Sequence, residues 1–292
     1  MSDPVLKIDI QQWVERARED PAAYRARQAT EIMLNAIALT APLNQKLFLK
    51  GGILMGLAYD SPRQTTDVDL TTDLEPGREA AEEVKGALNR AFPAIIARLG
   101  YAGLHLQVHS MRLEPRNQFD GAEFPAIKLK VGYAGIGTPA HTALLEGRAA
   151  VTIEVDISFN EPMSQIQVLE MPEGAALHAY SLTDLIAEKF RAMLQQVTRR
   201  RNRRQDVYDL DYLIANHEFG NAERKDILSA FLTKARARHL DPNRESLENE
   251  EVRTRSGADW ETLRLELGDI PEFGPCFDRV NAFYRSLPWL AA

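Results

Sequence analysis

The chain has 292 residues, 45% of them hydrophobic and 26% charged, which excludes wholesale disorder and predicts one large globular domain or two modest ones. With 35 Lys and Arg against 42 Asp and Glu, the net charge of −7 excludes nucleic-acid binding through bulk positive charge, so such binding would need a local basic patch. The chain has a single cysteine, Cys276, which excludes an intramolecular disulfide and a cysteine-based zinc site. No apolar run reaches the ~18 residues of a membrane span. We therefore expect a cytoplasmic protein without membrane contact.

The N-terminal half alternates between helical and strand patterns. Apolar residues at helical spacing predict a buried helix over 21–41. The segment LFLK (47–50) predicts a strand that runs into Gly51-Gly52, where a second helix (53–59) begins. Further along, the patterns predict a strand over 65–73, a long amphipathic helix over 76–100 and strands over 104–113, 126–133 and 150–159.

The C-terminal half has helical patterns. Ser181 is the predicted N-cap of a helix over 181–197. Beyond it come the arginine run RRRNRR (199–204) and predicted helices over 206–217, about 222–238 and 276–287. Because the pattern changes near 165–178, we predict an α/β (α+β) domain over 1–172 with a mixed or mostly antiparallel sheet, followed by an all-helical domain over 173–292.

Asp67 and Asp69 are the first candidates for chemistry. Residues two apart on a strand share a face at about 6–7 Å, and carboxylates at that spacing can share the divalent metal ions of a nucleotidyl displacement. A surface strand also supplies this pattern by chance, so the context matters. Upstream, Gly51-Gly52 at a helix N-terminus would let the backbone approach a triphosphate, although an ordinary strand-to-helix turn is the alternative. The combination matches the layout of polymerase-β-type nucleotidyltransferases.

A third carboxylate is expected from VTIEVDISF (151–159). Strict alternation puts Glu154 and Asp156 together on the polar face, and either could complete a metal site or accept a proton from an attacking hydroxyl. The spacing does not choose between them. Lys128 and Lys130 share one face of another strand, which favours a solvent-facing strand over a phosphate contact.

The segment LKGGILMGLAYDSPRQTTDVDL (49–70) resembles the first motif of the AbiEii/AbiGii nucleotidyltransferase toxins, in which Gly-Gly and a short apolar helix precede Arg-x-Ser/Thr-x-Asp-h-Asp. The resemblance implies a set of nucleotide-binding residues here: Lys50, Gly51, Gly52, Arg63 and Thr65. IEVDISFNEP (153–162) is similar to another family segment. This likeness implies that Asp156, rather than Glu154, joins Asp67 and Asp69 as a catalytic metal ligand.

Two later segments resemble further motifs of this family. LTDLIAEKFRAML (182–194) is similar to its Ala-x-Lys helix, which implies a catalytic role for Lys189. NRRQDVYDL (202–210) is similar to Arg-x-Lys-Asp-x-x-Asp-Leu. The likeness implies that Asp206 is catalytic and that Arg203 and Asp209 bind the nucleotide, whereas Gln205 departs from the lysine of many relatives. The two aspartates share one helical face, where they could orient a cation or simply cap the helix start.

The resemblance implies a polymerase-β-like nucleotidyltransferase whose helical domain completes the active site. It implies that the protein is the toxin of a toxin–antitoxin or phage-abortive system and has a cognate antitoxin. It also implies that the toxin uses Mg²⁺ to transfer NMP from an NTP to an RNA acceptor, for which tRNA is one candidate. Two alternatives are an enzyme that modifies a small molecule or a protein hydroxyl, and a non-catalytic nucleotide-binding regulator. The arginine run at 199–204 favours a polyanionic acceptor, since such loops bind phosphates, with a solvated linker as the other interpretation.

Overall fold

The computed structural model describes residues 5–289. The two predicted domains extend beyond this range, to residues 1–4 and 290–292. The described strands are β1 (Val5–Lys7), β2 (Leu47–Lys50), β3 (Val68–Thr72), β4 (Leu104–Glu114), β5 (Ala126–Gly135), β6 (Thr152–Phe159), β7 (Ile166–Glu170) and β8 (Ala176–Tyr180). They form an eight-stranded sheet in the order β1-β7-β8-β2-β3-β6-β5-β4. The sheet contains parallel pairs such as β3–β6 and antiparallel pairs such as β5–β6, so the prediction of a mixed sheet is confirmed.

The helices in residues 5–289 are α1 (Ile10–Glu15), α2 (Pro21–Leu39), α3 (Leu43–Lys46), α4 (Gly51–Ala58), α5 (Arg78–Arg98), α6 (Pro139–Leu145), α7 (Leu182–Arg199), α8 (Arg204–Asn216), α9 (Asn221–Ala237), α10 (Glu250–Gly257), α11 (Arg264–Leu267) and α12 (Phe273–Arg285). Of these twelve helices in residues 5–289, seven were predicted from the sequence and five helices of at most eight residues were not: α1, α3, α6, α10 and α11. Within residues 5–289, none of these helices is both long enough and apolar enough to cross a bilayer.

The described chain forms two compact units that interleave along the sequence. The first unit comprises residues 5–58, 65–161 and 166–179, and the second comprises residues 59–64, 162–165 and 180–289. The short segment 59–64, which lies between α4 and β3 in the sequence, therefore belongs to the mainly helical second unit.

The core of the first unit lies on one face of the central strands. Along β6, Ile153, Val155 and Ile157 are buried while the intervening residues point to the other face. Each such buried side chain contributes about 1.5–3 kcal/mol through its removal from water. Because this burial holds β6 in one register, it also determines which side chains stand on the polar face.

The second unit is built around α7. Ser181 caps this helix as predicted, because its hydroxyl accepts a hydrogen bond from the Asp184 backbone N–H. Phe190 packs in a ring cluster with Phe231 of α9 and Tyr284 of α12, with centroids 5.2–6.0 Å apart. The polar side chains of α7 and α8 are thus held on a rigid helical base.

Candidate active site

A cavity of about 820 Å³ in the first unit contains the predicted carboxylates. Its lining is mixed in charge, with acidic and basic side chains from β3, β4, β5, β6, α5 and the loops before β3 and after β4. The charged lining residues are Asp67, Asp69, Arg78, Glu82, Arg112, Arg116, Lys128, Lys130, Glu154 and Asp156. Its volume is in the range typical of ligand-binding clefts.

Four charged residues stand opposite one another across adjacent strands. Lys50 pairs with Asp69 between β2 and β3, Asp69 pairs with Asp156 between β3 and β6, and Asp156 pairs with Lys128 between β6 and β5. We call this line of Lys50, Asp69, Asp156 and Lys128 the charged row. Like charges directly opposite each other destabilise a sheet, so the two central carboxylates favour a bound cation.

Asp67 lies just before this row. The strand predicted over 65–73 begins only at Val68, so Asp67 is an exposed residue of the preceding loop rather than a strand residue. Its backbone N–H donates a hydrogen bond to the Thr65 hydroxyl at 3.3 Å. Asp67 and Asp69 nevertheless line one cavity, and Glu154 and Asp156 line it as well.

Gly51 brings the backbone unusually close to Asp69. Its φ is +72°, and a Cβ at this position would lie 2.1 Å from Asp69 Oδ2. Glycine is therefore required both by the left-handed backbone and by the lack of space. Gly52 is buried in the first turn of α4, and the buried Lys50 donates a hydrogen bond from Nζ to Ser158 Oγ at 3.3 Å.

Asp156 and Glu154 have different surroundings. Lys128 Nζ forms an ion pair with Asp156 Oδ2, while Asp156 Oδ1 is buried without a hydrogen-bond partner. Glu154 pairs with Lys130 at 3.0 Å, with both side chains more than half exposed. The expected solvent-facing strand thus describes Lys130 but not Lys128, because pairing between β5 and β6 sets Lys128 beside the half-buried Asp156.

The carboxylates match Mg²⁺ in donor type. Mg²⁺ prefers oxygen ligands, and the buried Asp156 Oδ1 is an oxygen without a hydrogen-bond partner on the cavity that Asp67 and Asp69 also line. Among residues 5–289, however, no group of three or more acidic, histidine or cysteine side chains is gathered closely enough to hold a metal ion. The donor chemistry therefore fits, while the other oxygen of Asp156 is occupied by the Lys128 ammonium group.

The remaining predicted site residues meet in the second unit. Lys189 Nζ donates to Asp209 Oδ2 at 2.6 Å and to Asp206 Oδ1 at 3.2 Å. Arg63 donates to both oxygens of Asp209, at 2.9 and 3.0 Å. Arg203 lies 3.7 Å from the other oxygen of Asp206. The motif residues of α7, α8 and the segment 59–64 therefore form one ion cluster.

Burial and charge act in opposite directions on this cluster. Burial by itself would lower the pKa of Lys189, but Asp209 and Asp206 outweigh it and raise that pKa. Burial would raise the pKa of Asp209, whereas Lys189 and Arg63 outweigh it and lower that pKa. Each shift favours the charged form of its group, so Lys189 and Asp209 form an ion pair at neutral pH.

Sequence reasoning missed one member of the cluster. Glu266, in α11, accepts a hydrogen bond from Arg63 Nη1 at 3.1 Å and another from the Gln205 side-chain amide at 3.1 Å. Gln205, where the resemblance leads one to expect lysine, therefore contributes a neutral donor to the same acid. No local pattern around Glu266 points to this contact, because its partners are 61 and 203 residues away.

Arginines from other parts of the chain lie near the arginine run 199–204. Arg199 ends α7 and Arg200 has a left-handed backbone, after which the chain enters α8. Burial, followed by the charges of Arg238 and Arg191, lowers the pKa of Arg199. Arginines from other parts of α7 and from the end of α9 thus add to the local positive charge.

Comparisons with known proteins identify a family and a similar fold. A family profile described as "Nucleotidyl transferase AbiEii toxin, Type IV TA system" matches residues 32–280. Among solved structures, the chain is similar to MenT4, a nucleotidyltransferase toxin from Mycobacterium tuberculosis H37Rv, with 18% identity, a TM-score of 0.51, and coverage of 95% of this chain and 99% of that one. The similarity confirms the predicted fold class. A comparison with curated protein sequences finds no match.

Proposed function

Because the chain belongs to the AbiEii family of nucleotidyltransferase toxins, we propose that it transfers NMP from an NTP to an RNA hydroxyl, with tRNA as the first acceptor to examine. The observation that carries this proposal is the cavity shared by Asp67, Asp69 and Asp156, with the Gly51 backbone closely approaching Asp69. A toxin of this family also implies a cognate antitoxin. We expect the enzyme to act in the cytoplasm, where NTPs and RNA are available.

The proposed reaction is an in-line displacement at the α-phosphorus of the NTP. The acceptor oxygen forms a bond to that phosphorus while the bond to the bridging oxygen breaks, and pyrophosphate leaves with the electron pair. We assign Asp156 as the acceptor of the hydroxyl proton, because its Oδ1 atom is buried without a hydrogen-bond partner. Glu154, which is exposed and paired with Lys130, is assigned no direct role.

The nucleotide is assigned to the glycine side of the carboxylates. Backbone N–H groups at the start of α4 would bind the triphosphate, with Lys50 nearby at the end of β2. Asp67, Asp69 and Asp156 would hold Mg²⁺, which neutralises phosphate charge when bound. For Lys189, Asp206, Asp209, Arg63 and Arg203 we propose the transfer roles that the family motifs imply.

The first experiment measures transfer directly. Purified protein, Mg²⁺ and total RNA are incubated with each α-labelled NTP in turn, and the labelled product is identified. Asp69→Ala should abolish labelling of RNA and relieve growth inhibition. Asp73→Ala is the matched control, because Asp73 is an exposed residue just beyond β3 that pairs with Lys46. Full activity of Asp69→Ala would overturn the proposal, and label in protein or a small molecule instead of RNA would overturn the acceptor.

The arginine run supports a polyanionic acceptor. Replacing Arg199, Arg200 and Arg201 with Ser should weaken RNA binding and reduce its salt slope by about 0.7–0.9 for each lost phosphate contact, while NTP binding stays unchanged. A control variant removes the same charge from three ion-paired arginines of the same unit: Arg253, Arg264 and Arg285. Equal RNA binding by the two variants would identify the run as a linker.

A further inference from the structure

The cavity has a basic side that the family motifs do not describe. Arg78 begins α5, Arg116 follows β4, and both exposed side chains line the cavity together with the carboxylates. Within the described residues neither arginine has an acidic partner. These two cations therefore leave positive charge on the cavity wall that a ligand can neutralise.

The other cations of this wall are already paired. Arg112 lies 2.5 Å from Glu114, and Lys130 lies 3.0 Å from Glu154. Lys128 is paired with Asp156 in the charged row. Because these carboxylates compensate their neighbours, the charge available to an anionic ligand is concentrated at Arg78 and Arg116.

The order of the strands separates this wall from the glycine turn. From β2 the sheet continues through β3, β6 and β5 to β4. At about 4.8 Å per strand, β4 lies about 14 Å from β3 and about 19 Å from β2. The carboxylates of β3 and β6 therefore lie between Gly51, which follows β2, and Arg116, which follows β4.

In-line displacement assigns opposite sides to the two substrates. The attacking oxygen and the leaving pyrophosphate stand on opposite sides of the phosphorus. With the triphosphate at Gly51-Gly52, the acceptor hydroxyl approaches from the side of Asp156, β5 and β4. We propose that Arg78 and Arg116 bind backbone phosphates of the acceptor RNA next to the attacking hydroxyl, an inference that rests on the function proposed above.

The experiment compares the double variant Arg78→Gln/Arg116→Gln with Arg90→Gln. Arg90 is an exposed arginine of the same helix as Arg78, and it does not line the cavity. Binding of fluorescently labelled, unfractionated tRNA is measured between about 50 and about 200 mM salt, and KM is measured separately for NTP and tRNA. Thermal melts establish that each variant is folded.

We expect the slope of log affinity for tRNA against log salt concentration to be smaller by about 1.4–1.8 in the double variant. Between about 50 and about 200 mM salt, the loss of affinity of the double variant should therefore be about tenfold smaller than that of wild type. KM for tRNA should rise, whereas kcat and KM for the NTP stay unchanged, and Arg90→Gln should behave like wild type. A raised KM for the NTP with unchanged tRNA binding would assign the arginines to the triphosphate and overturn the inference.

The binding assay also separates this inference from the proposed function. If wild-type protein transfers label to tRNA and the double variant does so with unchanged tRNA affinity and KM, the inference is wrong and the function stands. If wild-type protein transfers no label to any RNA, the function is wrong. An unchanged salt slope of the double variant overturns the inference in either case.

Discussion

Gly51→Ala adds one methyl group at the tightest backbone approach in the candidate active site. A Cβ there would lie 2.1 Å from Asp69 Oδ2, whereas real Cβ contacts essentially never fall under 3.0 Å, so the carboxylate must move by about 0.9 Å. A misplacement of about 1 Å can cost about 100-fold in rate. The left-handed backbone adds about 1–2 kcal/mol of destabilisation for any non-glycine residue. We expect transfer to fall about 100-fold in a protein that remains folded.

Gly100→Ala is the matched control for this variant. Gly100 has nearly the same backbone angle, φ +74°, but a Cβ there would meet nothing within 4 Å. It should therefore lose about the same 1–2 kcal/mol of unfolding free energy while keeping full activity. Steady-state transfer and urea denaturation of both variants separate backbone strain from displacement of the carboxylate. Equal activity of the two variants would refute the assignment of Gly51 to the active site.

Three further predictions test the charged row and the ion cluster around Lys189. Asp156→Asn should lower transfer at least ~100-fold at saturating Mg²⁺ while Glu154→Gln stays near wild type, and the reverse result would move the site assignment to Glu154. Lys189→Met should lower the free energy of unfolding by about 3 kcal/mol, since it leaves buried Asp209 with one cation fewer, whereas exposed Lys130→Met should cost under about 1 kcal/mol. The folded-state pKa of Asp209 is lowered, so its contribution to stability is present above the unfolded pKa of about 3.9 and is lost as pH falls further through the folded-state pKa. Asp209→Asn should therefore reduce the loss of unfolding free energy at acid pH, as measured by denaturation at a series of pH values.

Long periodic segments of this chain were predictable, whereas most of the short elements were not. The helices predicted over 21–41, 76–100 and 181–197 correspond to α2, α5 and α7 within one to two residues at each end. The strands β1, β7 and β8 were missed because each has only three to five residues, too few for a period to stand out, whereas the equally short β2 was found because it runs into Gly51-Gly52. β1 is held by its parallel pairing with β7, more than 150 residues away, which no local pattern contains.

Some features of the candidate site could likewise be predicted from the sequence, and others could not. The shared face of Glu154 and Asp156 could be predicted because strand alternation is a local property, whereas the choice of Asp156 came from the family resemblance and Asp67 lies in a loop rather than on the predicted strand. The pairing of Lys128 with Asp156 depends on the register between β5 and β6, and the contact of Glu266 with Arg63 spans most of the chain. Such contacts arise from tertiary packing, so composition and periodicity do not predict them.

The charged row has a consequence for how the gene can change. The neighbouring row of the same four strands consists of Leu49, Leu70, Ile157 and Ile127, and all four side chains are buried. Loss of a single codon within β6 would shift the pairing by one residue and bring an aliphatic side chain into the place of Asp156. In the connection formed by residues 146–150, between α6 and β6, a codon can be lost without altering the pairing of β6. Spontaneous in-frame deletions that inactivate the toxin should therefore accumulate in β6 and be rare in that connection.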